Sequence, residues 1–192
     1  MRKTSTQASK LLPSLFQHLD EEQSVTVFHV GPAVSETVDF FANYRCKLHF
    51  IDLFAELPIK ADEDNQQSLL QQFATMMQFP NNTQFDICLF WDVFNFLDRQ
   101  AVGAFMTALQ PNLKKDCTAH AFSVHNRKAP QVDHLYGIGA LDMLTCRSRR
   151  TAPPGYAPHS QSELTQLLNC FRLERSVLLP DSRLELLLHA SL

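Results

Sequence analysis

The residues at positions 85–91 read Phe-Asp-Ile-Cys-Leu-Phe-Trp, a nearly continuous apolar run that contains one charged side chain. Such a run is typical of a β-strand that is covered on both faces, as strands of a parallel sheet are. Other segments rich in β-branched and aromatic residues alternate along the chain with segments in which apolar residues recur at helical spacing. This alternation predicts an α/β fold with a Rossmann-like, doubly wound, mostly parallel sheet, because right-handed crossover helices then cover both faces.

The spacing of apolar residues gives approximate bounds for these elements. The predicted strands are residues 25–30, 47–51, 85–91 and 118–124, and the predicted helices are residues 9–19, 35–44, 65–78, 99–109 and 160–171. Ser35 can cap the second helix, and either Ser160 or Ser162 can cap the last one. The second helix would turn three apolar residues towards the sheet, namely Val38, Phe41 and Ala42. A third parallel strand is expected to be short or absent, since Pro58 interrupts the weak candidate at residues 57–60.

Two further segments complete the predicted domain. Residues 172–190 alternate about a Pro180-Asp-Ser turn, which predicts a C-terminal antiparallel hairpin with core positions at Val177, Leu179, Leu186 and Leu188. Residues 126–160 hold four of the ten prolines and three of the five glycines. We interpret them as an irregular cover over the cleft, with one short helix near residues 138–144. Long loops of this kind are often functional.

Composition limits the classes of protein that need to be considered. The length of 192 residues and the hydrophobic content of 45% fit one domain, residues 1–192, that opens with a helix within residues 1–22. The formal charge of −3 gives no general attraction to nucleic acid or to anionic lipid. Five scattered cysteines without a C-x-x-C pair are typical of reduced thiols. With neither a signal-peptide pattern nor a membrane-length apolar window, we expect a cytoplasmic protein.

The first two strands place candidate ligand-binding residues at one edge of the sheet. The first strand runs into Gly31, and the second strand closes on Asp52 about twenty residues later, the spacing at which a carboxylate accepts the ribose hydroxyls of a bound nucleotide. In an open parallel sheet the ligand lies at the carboxyl ends of the strands. A ligand is therefore expected over residues 31–34, with its ribose against Asp52.

Further along, Phe85-Asp begins the fourth strand, Leu109-Gln-Pro-Asn-Leu-Lys114 follows the next helix, and a helix and hairpin close the chain. With the Gly31 loop and Asp52, these features resemble the class I S-adenosylmethionine-dependent methyltransferases over roughly residues 24–125 and 160–190. The resemblance implies S-adenosylmethionine as cofactor, bound by a set of residues at the ends of the first two strands: His29, Gly31, Pro32, Ala33, Asp52 and Leu53. His29 lies inside an apolar strand, where a histidine is more often a core residue than a ligand, and Asp52 could simply be a polar residue that ends its strand. It also implies an acceptor site between the end of the fourth strand, at Trp91, Asp92 and Asn95, and the cover at residues 126–158. Asp92 is a candidate base or acceptor-orienting group there, or it caps the next turn.

The sequence departs from the family pattern in the first loop. His29 stands where the family has an acidic residue, and Ala33 and Ser35 replace two of its three glycines. Two hypotheses therefore stand: methyl transfer from S-adenosylmethionine to an unidentified acceptor, or a catalytically inactive methyltransferase-like module that binds a protein partner. A nicotinamide-binding domain would share Asp52, but the sequence lacks G-x-G-x-x-G and such a domain would not explain the terminal hairpin.

Other polar residues give weaker indications. Three arginines of the cover could meet an acidic substrate or simply be solvated, and two tyrosines there could line an acceptor pocket or be buried: Arg147, Arg149, Arg150, Tyr136 and Tyr156. No metal is expected, because the histidines near them lack the i, i+3 or i, i+4 spacing of a helical metal site. Nucleic acid is not an expected partner. A homodimer or a protein partner remains open.

Overall fold

The computed structural model describes residues 4–17, 19, 22–61 and 68–192. Its strands are β1 (Thr4–Ala8), β2 (Val25–Val30), β3 (Cys46–Ile51), β4 (Phe85–Trp91), β5 (Leu113–Val124), β6 (His134–Ala140), β7 (Met143–Ser148), β8 (Phe171–Leu178) and β9 (Arg183–Ala190). Its α-helices are α1 (Leu12–Leu15), α2 (Ser35–Phe41), α3 (Leu69–Met76), α4 (Arg99–Leu109) and α5 (Gln161–Leu167). Within these described residues, no helix is long and apolar enough to cross a membrane.

The main sheet has six strands in the order β3-β2-β4-β5-β9-β8. Strands β3, β2, β4 and β5 are mutually parallel, and β9 runs antiparallel to both β5 and β8. The order reverses between β2 and β4, so their carboxyl ends form the switch point at which such sheets bind ligands. The sheet confirms the predicted Rossmann-like α/β class and its C-terminal antiparallel hairpin.

Each face of the main sheet buries its own apolar cluster. On one face, aromatic residues pack beneath α3, α4 and α5, as shown by Phe28 and Phe85 (ring centroids 5.2 Å apart) and by Phe90 and Phe105 (5.9 Å). On the other face, Val27, Trp91 and Phe122 pack with α1 and with residues of β6 and β7. Burial on both faces explains why the sequence of β4 is apolar almost throughout.

The cover over the second face is a small sheet, which corrects the irregular cover and the short helix predicted within residues 126–160. Strands β6 and β7 form an antiparallel hairpin, and β1 adds to the far side of β7 with Thr4 opposite Arg147 and Ala8 opposite Met143. The glycines of β6 mask the usual alternation of a strand. Strand β7 also pairs with β1, a segment near the other end of the chain, and no local pattern reveals that pairing.

The N-terminal helix predicted within residues 1–22 is also wrong in extent. Residues 4–8 form β1, and α1 covers only residues 12–15, with Pro13 in its first turn as expected. Residues 1–3, 18, 20 and 21 lie outside the described part of the chain. The apolar spacing was still informative, because Leu11, Leu12 and Leu15 are all buried.

The other helices differ from prediction mainly at their ends. Ser35 is the first helical residue of α2, not its cap, and the buried face consists of Thr37 and Phe41, whereas Val38 is 41% exposed and Ala42 is exposed. Helices α3 and α5 are capped by Ser68 and Ser160, the residues that precede them, whose side chains accept the backbone N–H of the third helical residue. In the described residues between positions 53 and 68 there is no strand, only a 3-10 turn at Leu53–Glu56.

Candidate functional site

The first loop leaves β2 at the carboxyl edge of the sheet. Gly31 has a φ of +124°, a conformation that favours glycine, and its N–H donates to the carbonyl oxygen of Ile51 at 2.7 Å. This bond holds the start of the loop against the end of β3. A side chain at Gly31 would point towards the imidazole of His29, whose Cε1 atom lies 3.6 Å from the position that a Cβ atom would occupy.

A cavity of about 410 Å³ lies beside this loop. Pro32, Asp52 and Phe54 line it from the main sheet, and the cover contributes Leu135 and residues 148–154. The Oδ1 atom of Asp52 is buried without a hydrogen-bond partner. Because buried polar atoms in proteins are almost always paired, this acceptor suits a donor from a bound molecule or an ordered water.

Arg149 enters the same cavity from the cover. Its guanidinium carbon lies 3.8 Å from the centroid of the Phe54 ring, and its Nε atom donates to the carbonyl oxygen of His134 at 3.1 Å. Burial lowers the pKa of Arg149, and the negative charges of Asp92 and Asp52 oppose that shift. The cavity is therefore lined by both an acidic group and a basic group.

His29 and Trp91 form a buried pair behind the first loop. The indole Nε1–H donates to Nε2 of His29 at 3.1 Å, so the histidine accepts as a neutral ring. Burial lowers the pKa of His29 to about 4, and its Nδ1 atom has no hydrogen-bond partner. Trp91 has a φ of 53° and stacks on Tyr136 of the cover with ring centroids 5.5 Å apart.

Asp92 directly follows this pair and is only 3% exposed. Burial raises its pKa to about 7, and the positive charges of Arg149 and Arg183 act in the opposite direction. Its Oδ1 atom also has no hydrogen-bond partner. A carboxyl group with a pKa near neutrality can take up or release a proton at physiological pH, as a general base must.

Strand β6 lies across the first loop and the start of α2. The N–H of Ile138 donates to Oγ1 of Thr37 at 3.2 Å, and Arg147 forms an ion pair with Glu36. Gly137 faces Val34 so closely that a Cβ atom would lie 3.2 Å from its Cγ2 atom. The cover is thus bonded to the same segment that would hold a ligand above the sheet.

We expect Gly137→Ala to lower the free energy of unfolding by about 1–3 kcal/mol, because the added methyl group overpacks a tight contact. It would lie 2.6 Å from Oγ1 of Thr145 as well as against Val34. Gly103→Ala is the matched control, since a Cβ atom at that position in α4 meets nothing within 4 Å. It should stabilise the helix by about 0.5–1 kcal/mol. Urea unfolding of the three proteins measures both effects. If Gly137→Ala were as stable as the parent protein, β6 would not be tightly packed on the loop.

The structure brings only part of the expected site together. Of the residues implied for the cofactor, Pro32 and Asp52 line the cavity, Leu53 is buried in the core, and Ala33 is exposed. His29, Trp91 and Asp92 are adjacent to one another but buried under the cover. Gly31 shapes the loop without lining the cavity.

The polar residues predicted in the cover have different environments. Arg149 and Arg150 line the cavity, whereas Arg147 is paired with Glu36. Tyr136 is buried, and the hydroxyl of Tyr156 donates to the carbonyl oxygen of Ala129 at 3.1 Å. Sequence reasoning missed Phe54 as a lining residue, since an apolar residue after a strand gives no signal of a site. Within the described ranges, no three side chains of the types that bind metals come together.

No protein-family model and no curated protein sequence matches this chain. Its structure is similar to several solved protein structures. The pyocyanin biosynthetic protein PhzM is 16% identical with a TM-score of 0.53, over 94% of this chain and 54% of that one. N-methyltransferase NodS from Bradyrhizobium japonicum is 13% identical with a TM-score of 0.52, over 94% and 93% of the two chains.

A third similar structure is 1,6-didemethyltoxoflavin-N1-methyltransferase from Burkholderia thailandensis, solved with bound S-adenosylhomocysteine. It is 13% identical with a TM-score of 0.51, and the match covers 95% of this chain and 77% of that one. The chain spans about half the length of PhzM and nearly all of NodS. At such low identities the likeness shows the fold alone.

Proposed function

We propose that this protein binds S-adenosylmethionine at the carboxyl edge of its parallel sheet and transfers the methyl group to an acceptor of unidentified structure. The observation that carries the proposal is Asp52, which lines the cavity beside Pro32 and whose Oδ1 atom is buried without a hydrogen-bond partner. A ribose offers two hydroxyl donors to such a carboxylate. Asp52 follows β3 at the carboxyl edge of the sheet, next to the switch point between β2 and β4, which supports a ligand site there.

The residues present fit the nucleoside end of the cofactor. Asp52 would accept the ribose hydroxyls, and Pro32 and Phe54 would contact the flat, apolar part of the ligand. When bound, the cofactor supplies an already activated methyl group, so the protein needs mainly to align an acceptor with it. Trp91 and Asp92 lie at the end of β4, where we propose that the acceptor binds, and Asp92 would hold the acceptor's proton. Both are buried, so an acceptor would reach them after a movement of the cover.

Replacing Asp52 tests the proposal. We expect Asp52→Ala to weaken the binding of S-adenosylmethionine roughly tenfold, because the ribose loses a charged acceptor. Glu56→Ala removes the same charge from an exposed position nearby and should leave the affinity unchanged. Isothermal titration calorimetry of the three proteins gives the dissociation constants. Equal affinities in all three would remove Asp52 from the site, and no binding by the parent protein would contradict the proposed function.

One observation favours the second candidate, a catalytically inactive module that acts by binding a protein partner. Strand β6 covers the first loop through the Ile138–Thr37 hydrogen bond, and Trp91 is only 1% exposed beneath Tyr136. If this arrangement is permanent, the space above Gly31 cannot take the methionine part of the cofactor. Native mass spectrometry of freshly purified protein separates the candidates: retained S-adenosylmethionine or S-adenosylhomocysteine supports the enzyme, and their absence together with a negative titration supports the module.

A further inference from the structure

We propose that the cavity at Asp52 selects nucleosides that carry an anionic group, which Arg149 binds. The proposal rests on the proposed nucleoside site and adds the chemical class of its ligand. The anionic group can be the carboxylate of an S-adenosyl amino acid or the phosphate of a nucleotide, since a guanidinium recognises both.

The first support is the way in which Arg149 is held. Its guanidinium stacks on Phe54 at 3.8 Å and its Nε–H is bonded to the carbonyl oxygen of His134. These contacts fix the plane of the group and leave the two terminal nitrogens without a hydrogen-bond partner among the described residues. A guanidinium held in this way offers paired N–H donors to a carboxylate or phosphate at little further entropic cost.

The second support is that two other arginines nearby, Arg147 and Arg183, are already paired, whereas Arg150 lines the cavity beside Arg149 and has no ion pair among the described residues. Arg147 forms an ion pair with Glu36, and Arg183 bonds to Asp181 and to the hydroxyl of Tyr136. Within the part of the chain that the structure describes, no carboxylate lies within ion-pair distance of Arg149, although it lines the same cavity as Asp52. Asp52, whose Oδ1 atom has no donor, and Arg149, which has no direct counterion among the described residues, therefore line the same cavity.

A purely structural role of Arg149 must be distinguished from a role in ligand binding. The charges of Asp92, Asp52 and Asp133 all act on Arg149. It could therefore serve only as a distant counterion that makes these acids less costly to bury. In that case its removal would change the stability of the protein but not the preference of the cavity for anionic ligands. The preference, measured as a ratio of affinities, is thus the informative quantity.

The experiment compares adenosine, adenosine monophosphate and S-adenosylhomocysteine by calorimetry. In the parent protein at least one of the two anionic ligands should bind roughly tenfold or more tightly than adenosine. Arg149→Gln should reduce that ratio to about one and leave the affinity for adenosine unchanged. Lys128→Gln, an exposed cation of the same cover outside the cavity lining, should keep the parental ratio. Preference for S-adenosylhomocysteine identifies a carboxylate, and preference for the monophosphate identifies a phosphate.

Thermal unfolding shows whether Arg149→Gln remains folded. If it does not, Arg149→Lys keeps the charge without the planar fork and should still lower the ratio several-fold. A ratio that is unchanged in the folded variant, or equal binding of all three ligands by the parent, overturns the role of Arg149 and leaves the nucleoside site in place. Binding of none of the ligands by the parent overturns both the inference and the proposed function.

Discussion

Replacement of Glu185 by alanine is expected to lower the free energy of unfolding by about 3–5 kcal/mol, because it leaves buried polar partners without their counterpart. Glu185 is fully buried on β9, where Oε1 accepts from Nε2 of His120 at 2.9 Å and from the hydroxyl of Ser9, and Oε2 accepts from the N–H of Lys10 at 3.2 Å. Burial alone would raise the pKa of Glu185, but these hydrogen bonds hold it below its ordinary value.

The effect should extend to the N-terminal segment. Ser9 also accepts the N–H groups of Leu11 and Leu12, so its hydroxyl joins Glu185 to the first turn of α1. Glu174→Ala, at an exposed position on β8, is the matched control and should change the stability by less than about 0.5 kcal/mol. Urea unfolding at neutral pH measures both. A loss for Glu185→Ala no larger than that for the control would mean that the network does not stabilise the fold.

The main sheet was largely predictable because its signals are local. The bounds of β2, β4 and α4 agree with the sequence prediction residue by residue. Strand β4 is buried on both faces, so composition alone marks it. The turn at Pro180 and the alternation around it likewise indicate the hairpin of β8 and β9. In each case a few consecutive residues carry the information.

The cover was not predictable, because its strand pairing depends on residues that lie far apart in the sequence. Strand β7 pairs with β1, so its partner lies more than a hundred residues away in the sequence, as the pairing of Thr4 with Arg147 shows. The buried face of α2 was misplaced for a related reason. Thr37 is buried beneath the cover, where its hydroxyl accepts the N–H of Ile138, and a polar residue gives no sign that such a distant donor exists.

The candidate site likewise has residues that the sequence could place and contacts that it could not. Strand polarity was enough to place Asp52 and Pro32 at one edge of the sheet, where they line the cavity. The contribution of Arg149 depends on how the cover folds back over Phe54, which the sequence does not encode locally. The bond between His29 and Trp91 is also a tertiary feature, because the two residues lie on neighbouring strands that are 62 positions apart.

Asp92 gives the site a pH dependence whose direction can be derived. Its pKa is about 7 in the folded protein and 3.8 as the reference value, so the folded state binds more protons than the unfolded state between these values. The stability contributed by this group therefore falls as the pH rises from 3.8 to about 7.

His29 acts in the opposite direction. Its pKa is lowered from 6.5 to about 4 in the folded protein, so the stability that it contributes is lost as the pH falls through that interval. In the parent protein the two dependences partly cancel.

Asp92→Asn separates the two groups, because an amide of similar shape cannot ionise. We expect the variant to be more stable than the parent at pH 8 by on the order of 4 kcal/mol, the energy that corresponds to the difference between 3.8 and about 7. At pH 4 the two proteins should be similar, since Asp92 is then largely protonated in the folded state. Between these values the variant should lose the dependence of Asp92 and keep that of His29. Asp39→Asn, at an exposed position of α2, is the control and should follow the parent at both pH values. Urea unfolding at pH 4 and pH 8 gives the free energies, and an equal change at both would mean that the buried carboxyl group does not retain its proton.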